Sequence, residues 1–246
     1  MGHPQVTETL AALLFAHVLA DFVFQTDWMV ANKRRLGGLA LHGLVVLATA
    51  VAATGAVDLG LLWLTALHVA IDAIKAPARP GLAAFLLDQA GHLATIAALA
   101  MWRPVIWSDG LWAGQAALPG LMLLAAGAIL ATRAGGFAVG HLMEPFASHL
   151  SANVTAESLP GAGRVIGLLE RGLIFALILL GQPAGVGLLI AAKSILRFGA
   201  VKDDRALSEY VIIGTLASFS WAIVVAYGTL SGLTALPALG ILPVTP

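Results

Sequence analysis

Long apolar stretches separated by short polar breaks set the plan of this chain. Windows long enough to cross a bilayer fall at 7–31, 39–55, 58–76, 82–101, 113–132, 164–181, 184–200 and 207–230. They predict an all-α, polytopic integral membrane protein of about eight transmembrane helices. The connectors hold the expected breakers or charges: Lys33-Arg34-Arg35-Leu36-Gly37-Gly38, Gly55, Pro77 to Gly81, Pro104 to Gly110, Gly181-Gln182-Pro183 and Lys202 to Arg205. Residues 135–163 break the pattern with Gly135-Gly136, Pro145, Pro160, His141, Glu144, His149 and Glu157. They read as an interfacial cytoplasmic segment with a short amphipathic helix. The expected organisation is a four-helix membrane unit over 1–101, a fifth helix and interfacial segment over 102–163, and a three-helix unit over 164–246.

Polar residues inside the apolar windows are the informative departure. The pattern is His17-x3-Asp21, His42, His68-x3-Asp72 and Asp88-x3-His92. Positions four apart share one helix face, so each pair is a two-ligand clamp pointing one way. A charge in hydrocarbon costs roughly 2.5–3.5 kcal/mol even on the lenient insertion scale, so three unanswered aspartates cost on the order of 8–10 kcal/mol. The motifs also repeat. His17 to His68 and Asp21 to Asp72 are both 51 positions, and His42 to His92 is 50. The first two helices and the next two therefore read as copies of one hairpin in parallel topology.

Basic residues orient the chain. With the N-terminus outside, Lys33, Arg34, Arg35, Lys75, Arg79, Arg133, Arg164, Lys202 and Arg205 all fall at cytoplasmic helix ends or loops, and Arg103 falls outside. Both termini are then outside, and the His/Asp positions occupy overlapping levels biased toward the cytoplasmic face. Asn153-Val154-Thr155, a glycosylation sequon, lies on the cytoplasmic side and carries no weight. Trp102, Trp107 and Trp112 flank an outer loop as an aromatic belt would.

Composition narrows the chemistry. The chain is 59% hydrophobic and 11% charged, with a mean hydropathy of +0.93. Soluble domains carry about 25% charged residues. Lys+Arg and Asp+Glu balance at 13 each, and no basic arm or nucleic-acid-reading motif is present, so no nucleic-acid partner is expected. The absence of cysteine excludes disulfides, thiolate metal sites and a cysteine nucleophile. The first apolar stretch has no basic lead and no small-residue cleavage pattern, so it reads as a retained helix.

Imidazole and carboxylate without thiolate suit a divalent cation: zinc, manganese or iron. His17, Asp21, His42, His68, Asp72, Asp88 and His92 are the candidate ligands. They exceed one tetrahedral site, leaving room for two ions or for carboxylates that orient the imidazoles. The plainer alternatives are hydrogen bonds between helices, or a proton relay, with no metal. Asp21, Asp72 and Asp88 are the candidates for a general base. A later set, Glu170, Arg171, Lys193, Arg197 and Glu209, offers cationic groups for an anionic, phosphate-bearing amphiphile. Its alternative is salt bridging that lets helices pack. Gln25 is a second-tier or interfacial group, and Gln89 beside Asp88 is expected to face another way.

The string His17-Val-Leu-Ala-Asp21-Phe-Val-Phe-Gln25-Thr-Asp27-Trp28, then Lys33, Leu41-His42-Gly43, His68-Val-Ala-Ile-Asp72-Ala-Ile-Lys75 and Leu87-Asp88-Gln89-x2-His92, resembles a bacterial membrane family known as domain of unknown function 3307. The likeness continues through Gly163-Arg-Val-Ile-Gly167-x2-Glu170-Arg171, Ala192-Lys193-Ser194-x2-Arg197-Phe198 and Glu209-Tyr210-x3-Gly214-Thr215. It implies a bacterial inner-membrane protein and no activity. From the residues, the expectation is a metal-dependent membrane hydrolase or transferase acting on a lipid-linked, phosphate-bearing substrate, with membrane lipids as its surroundings. A divalent-cation or proton transporter and a non-catalytic scaffold are the alternatives.

Overall fold

The computed structural model describes residues 4–147, 159, 161–198 and 205–240, and every regular element among them is helical. Helix α1 (Pro4–Leu19) runs into a π-helical turn over Ala20–Phe24. Short α2 (Asp27–Ala31) follows, capped where Thr26 Oγ1 accepts the Met29 N–H at 3.3 Å. Next come α3 (Leu36–Thr54), α4 (Leu59–Lys75), α5 (Leu82–Trp102) and a 3-10 turn over Pro104–Ile106. Then α6 (Leu118–Ile129), a second π-helical turn (Leu130–Ala134) and α7 (Gly135–Ala147) form one helical stretch. The last helices are α8 (Ala162–Leu179), α9 (Ala184–Phe198) and α10 (Arg205–Leu233).

Five stretches are long and apolar enough to cross a membrane: Pro4–Phe24, Leu36–Thr54, Leu82–Trp102, Leu118–Ala147 and Arg205–Leu233. The chain is thus a membrane-like helical protein of multi-pass character. Helix α4 has 17 residues, about 25 Å at 1.5 Å per residue. Helix α8 carries Arg164, Glu170 and Arg171, and α9 offers only the shorter apolar run Ala184–Ile195.

Several boundaries differ from the sequence reading. The first helix stops at Phe24 rather than 31, because Gln25 is extended and Thr26 begins a new helix. The fifth begins at Leu118, with Pro119 in its first turn where a missing N–H costs nothing. Gly135-Gly136 does not break it. The helix runs on to Ala147, and a Cβ on Gly135 would lie 2.6 Å from the Trp221 ring, so this glycine serves close packing. His149, Glu157, Pro160, the Asn153–Thr155 sequon and Lys202 lie outside the described residues.

The chain divides into two compact units, Met1–Ile129 with Ser231–Leu239, and Leu130–Leu230 with Gly240–Pro246. In the first, α1 packs against α3, α5 and α6, α3 against α4, and α4 against α5. Its core joins Leu13, Leu61, Leu64, Ile96, Leu99 and Met122 with small residues such as Ala12, Ala16 and Ala50, which let the helix axes approach. Trp107 is buried in this core instead of standing in an outer belt with Trp102 and Trp112. Thr9 holds it there, donating to the Pro104 carbonyl at 2.8 Å and accepting the Trp107 N–H at 3.2 Å.

The two ends of this unit are built differently. At one, Gly55 closes α3 in the left-handed region, Asp58 Oδ1 caps α4 through Gly60 N–H at 2.7 Å, and Asp58 pairs with Arg103 at 2.6 Å. At the other, the segment after α2 meets the end of α4, where Arg34 Nε donates to the Ala76 carbonyl at 3.1 Å. Lys33, Arg34, Arg35 and Arg79 belong to the two connectors at that end, and Lys75 closes α4 there.

In the second unit Arg171 is buried, donating to the Thr132 carbonyl oxygen at 2.9 and 3.2 Å and to Ser218 Oγ at 3.0 Å. A π-helical turn leaves carbonyls unpaired along its helix, and here Arg171 and Trp221 (to Leu130 O, 2.9 Å) take two of them.

Candidate metal centre

Three local features bring the His/Asp pairs of the first unit to one place. The π-helical turn begins at Ala20 and re-aims Asp21 relative to His17; such turns insert one residue and recur at functional sites. Helices α3 and α4 approach closely at Gly43, where a Cβ would sit 2.9 Å from Val69 Cγ2. That approach sets His42 against His68. Helix α5 lies beside α4 and carries Asp88 and His92 one turn apart on its buried face.

All seven sequence-predicted ligands are drawn together. His17, Asp21 and His68 form one group with candidate ligand atoms mutually within 4.8 Å; His42, His68 and Asp72 form a second, and Asp72, Asp88 and His92 a third. His68 and Asp72 are shared between groups, so the three are one contiguous cluster. It is buried: His42 and His92 are fully enclosed, and Asp72 is 1% exposed.

Its centre has a definite geometry. His42 Nε2 lies 3.1 Å from His68 Nε2, 3.3 Å from Asp21 Oδ1 and 3.3 Å from Asp72 Oδ2. His68 Nε2 lies 3.2 Å from Asp21 Oδ1 and 3.9 Å from Asp72 Oδ2. Ligands held tetrahedrally at about 2.0–2.2 Å from an ion stand about 3.3–3.6 Å from one another. Asp21 Oδ1 and Asp72 Oδ2 are buried acceptors with no hydrogen bond. Leaving such groups unpaired in a dry interior costs about 1–3 kcal/mol each, more when charged. The cluster could hold a metal ion, and its donor set of imidazole and carboxylate suits zinc, manganese or iron.

The surroundings fix the ligands. His17 Nδ1 is 3.8 Å from Asp21 Oδ2, while its Nε2 stands 3.3 Å from Gln89 Oε1. Lys33 Nζ donates to Asp72 Oδ1 at 2.7 Å, and Lys75 Nζ to Asp88 Oδ2 at 2.5 Å. Gln25 Nε2 lies 3.1 Å from His42 Nε2. The rings of His68 and His92 stack at 3.8 Å between centroids, tilted by 18°.

Lys33 and Lys75 were legible only as topology markers; their spacing from the aspartates, 39 and 13 positions, has no helical period. Gln89 departs from the expectation that it faces away. Its side chain is long enough to reach both His17 and the Asp88 carboxylate (Oδ2, 3.2 Å).

The second set of predicted residues lies in the second unit and is paired there. Lys193 Nζ meets Glu170 Oε2 at 2.7 Å and lies 5.2 Å from the Phe219 ring centroid. Arg171 is engaged by Thr132 and Ser218, and Glu209 pairs with Arg205 at the exposed start of α10. Helix α9 contains Arg197, whose side chain lies outside the described residues.

Comparison with known families agrees with the first part of the motif string. Residues 9–110 match the family described as Protein of unknown function (DUF3307). The matched span contains every His and Asp of the cluster together with Lys33, Lys75, Gln25 and Gln89. The basic set of the second unit lies beyond it. No curated protein and no solved structure matches the chain.

Proposed function

We propose that the 9–110 domain is a metal-dependent membrane hydrolase or transferase acting on a lipid-linked, phosphate-bearing substrate. The observation that carries this reading is that His42 Nε2 stands 3.1 Å from His68 Nε2 and 3.3 Å from both Asp21 Oδ1 and Asp72 Oδ2, close to the spacing of ligands that share one ion. These four would hold the metal, with His17, Gln89 and Lys33 orienting the cluster and Gln25 Nε2 3.2 Å from His42 Nδ1. A zinc, manganese or iron ion there would activate water or polarise a phosphoryl oxygen. An aspartate of the cluster that is not engaged as a ligand, from among Asp21, Asp72 and Asp88, would serve as general base.

Support for an anionic substrate comes from the basic connectors beside the cluster, where Lys33, Arg34, Arg35, Lys75 and Arg79 gather. We read all eight long helices as spans of a bacterial inner membrane, with both termini outside and that basic end cytoplasmic. The alternative, a cation or proton carrier, needs a polar route to the opposite end. Beside His17 and His68 lies a small cavity lined mainly by apolar residues such as Leu13, Leu64 and Ile96, and Leu61 and Leu99 belong to the same apolar core, which favours the enzyme.

Elemental analysis of chelator-free, detergent-purified protein tests the metal: wild type should carry close to one equivalent or more, and His68→Ala far less. A wild-type content below about a tenth of an equivalent sinks the reading. Phosphate release from a lipid phosphate ester, lost in Asp21→Asn, tests the reaction.

A further inference from the structure

Two carboxylates of the cluster are treated alike. Lys33 takes Oδ1 of Asp72 at 2.7 Å, leaving Oδ2 with no hydrogen bond and 3.3 Å from His42 Nε2. Lys75 takes Oδ2 of Asp88 at 2.5 Å, joined by Gln89 Nε2 at 3.2 Å, leaving Oδ1 with no hydrogen bond and 3.4 Å from His92 Nε2. In each case one oxygen is neutralised and the other is presented to an imidazole at the spacing of two ligands on one ion. The first such pair belongs to the four-residue centre, and the second lies outside it.

His92 makes the second pair informative. It is fully buried, and neither of its ring nitrogens has a hydrogen-bond partner. An ordinary core histidine settles at least one nitrogen on a backbone or side-chain group. Candidate ligand atoms of Asp72, Asp88 and His92 lie within 4.8 Å of one another, and Asp72 also belongs to the first group. His92 stacks on His68 at 3.8 Å between ring centroids, so the two groups adjoin.

We infer that Asp72, Asp88 and His92 would bind a second divalent cation beside the first, with Asp72 common to both sets of ligands, and that the loaded site takes a phosphate group. This deepens the proposed function and rests on its metal centre. The charges assign the ligand class. Asp21, Asp72 and Asp88 against Lys33 and Lys75 leave one net negative charge. Two divalent ions would turn that into three net positive charges. A phosphate monoester dianion offsets two of them, a carboxylate one and a neutral ester none. In a low-dielectric site the balance decides occupancy, because uncompensated charge costs several kcal/mol.

The test counts manganese bound to the full chain in detergent with inorganic phosphate present, by elemental analysis after desalting and by electron paramagnetic resonance. Wild type is expected to hold two Mn(II) per chain with an exchange-coupled spectrum. Asp88→Asn and His92→Gln are each expected to hold one, with the six-line spectrum of an isolated ion. The remaining ion also reports that each variant is folded. One ion in wild type and variants alike means Asp88 and His92 only orient the first site, and overturns the second site while the first stands. Two ions in both variants, or none in both, overturns it equally. No ion in wild type defeats the proposed function itself.

Discussion

Lys33 Nζ stands 2.7 Å from Asp72 Oδ1, and the other oxygen of that carboxylate faces His42 Nε2 at 3.3 Å. One carboxylate thus joins the basic connector after α2 to the centre of the cluster, and it is 1% exposed while Lys33 reaches solvent. The lysine lowers the cost of burying Asp72 before any ion arrives.

That relationship predicts strong coupling in metal-free protein. Lys33→Met leaves a buried charge unpaired and should cost about 3 kcal/mol of stability. Lys33→Met combined with Asp72→Asn should cost less than the sum of the single changes by about 1–3 kcal/mol. Reversible unfolding in mixed micelles measures it, and strict additivity would show that the two residues do not depend on each other.

Metal binding should weaken as pH falls. Imidazole and carboxylate ligate only in their deprotonated forms, so protons compete with the ion. The sign is the reverse of a site in which protonation creates the binding group. A metal titration across mildly acid pH checks this, and a flat profile would exclude imidazole ligation.

Gly43→Ala should damage the centre without touching a ligand. Its new Cβ would stand 2.9 Å from Val69 Cγ2, prising α3 from α4. The expected effects are about 1–2 kcal/mol of stability and a metal affinity reduced about 10–100-fold, as when ligand-orienting contacts are lost. Gly37→Ala, with nothing within 4 Å of its Cβ position, is the control and should leave affinity unchanged.

Glu170→Gln probes the second unit. Its partner Lys193 would keep a largely enclosed ammonium without its carboxylate, and the expected loss is about 1–3 kcal/mol of stability with metal content unchanged. Unchanged stability together with lost phosphate-ester turnover would move this pair from helix packing to substrate contact.

How far the chain could be read before its structure depended on how local each feature was. Apolar runs and helix breakers act over one or two turns, so α3, α4 and α5 fall close to their expected places. Where a distant contact decides, the reading slipped: Trp107 is fixed by Thr9, 98 positions away, and Gly135 by Trp221. The His/Asp ligands were visible because a spacing of four turns chemistry into a helical face.

The amino-acid sequence alone determined a membrane-like, helical chain carrying imidazole and carboxylate on single helix faces, since hydropathy and helical period are properties of neighbouring residues. Only the tertiary structure decided that those faces meet at one level. It also decided that Lys33 and Lys75 each hold one oxygen of an aspartate, and that Lys193 and Glu170 hold each other. The meeting of the faces depends on a π-helical turn at Asp21 and a close helix approach at Gly43. The approach at Gly43 and the pairings of Lys33 and Lys193 are contacts between segments far apart in the chain, which no local pattern encodes.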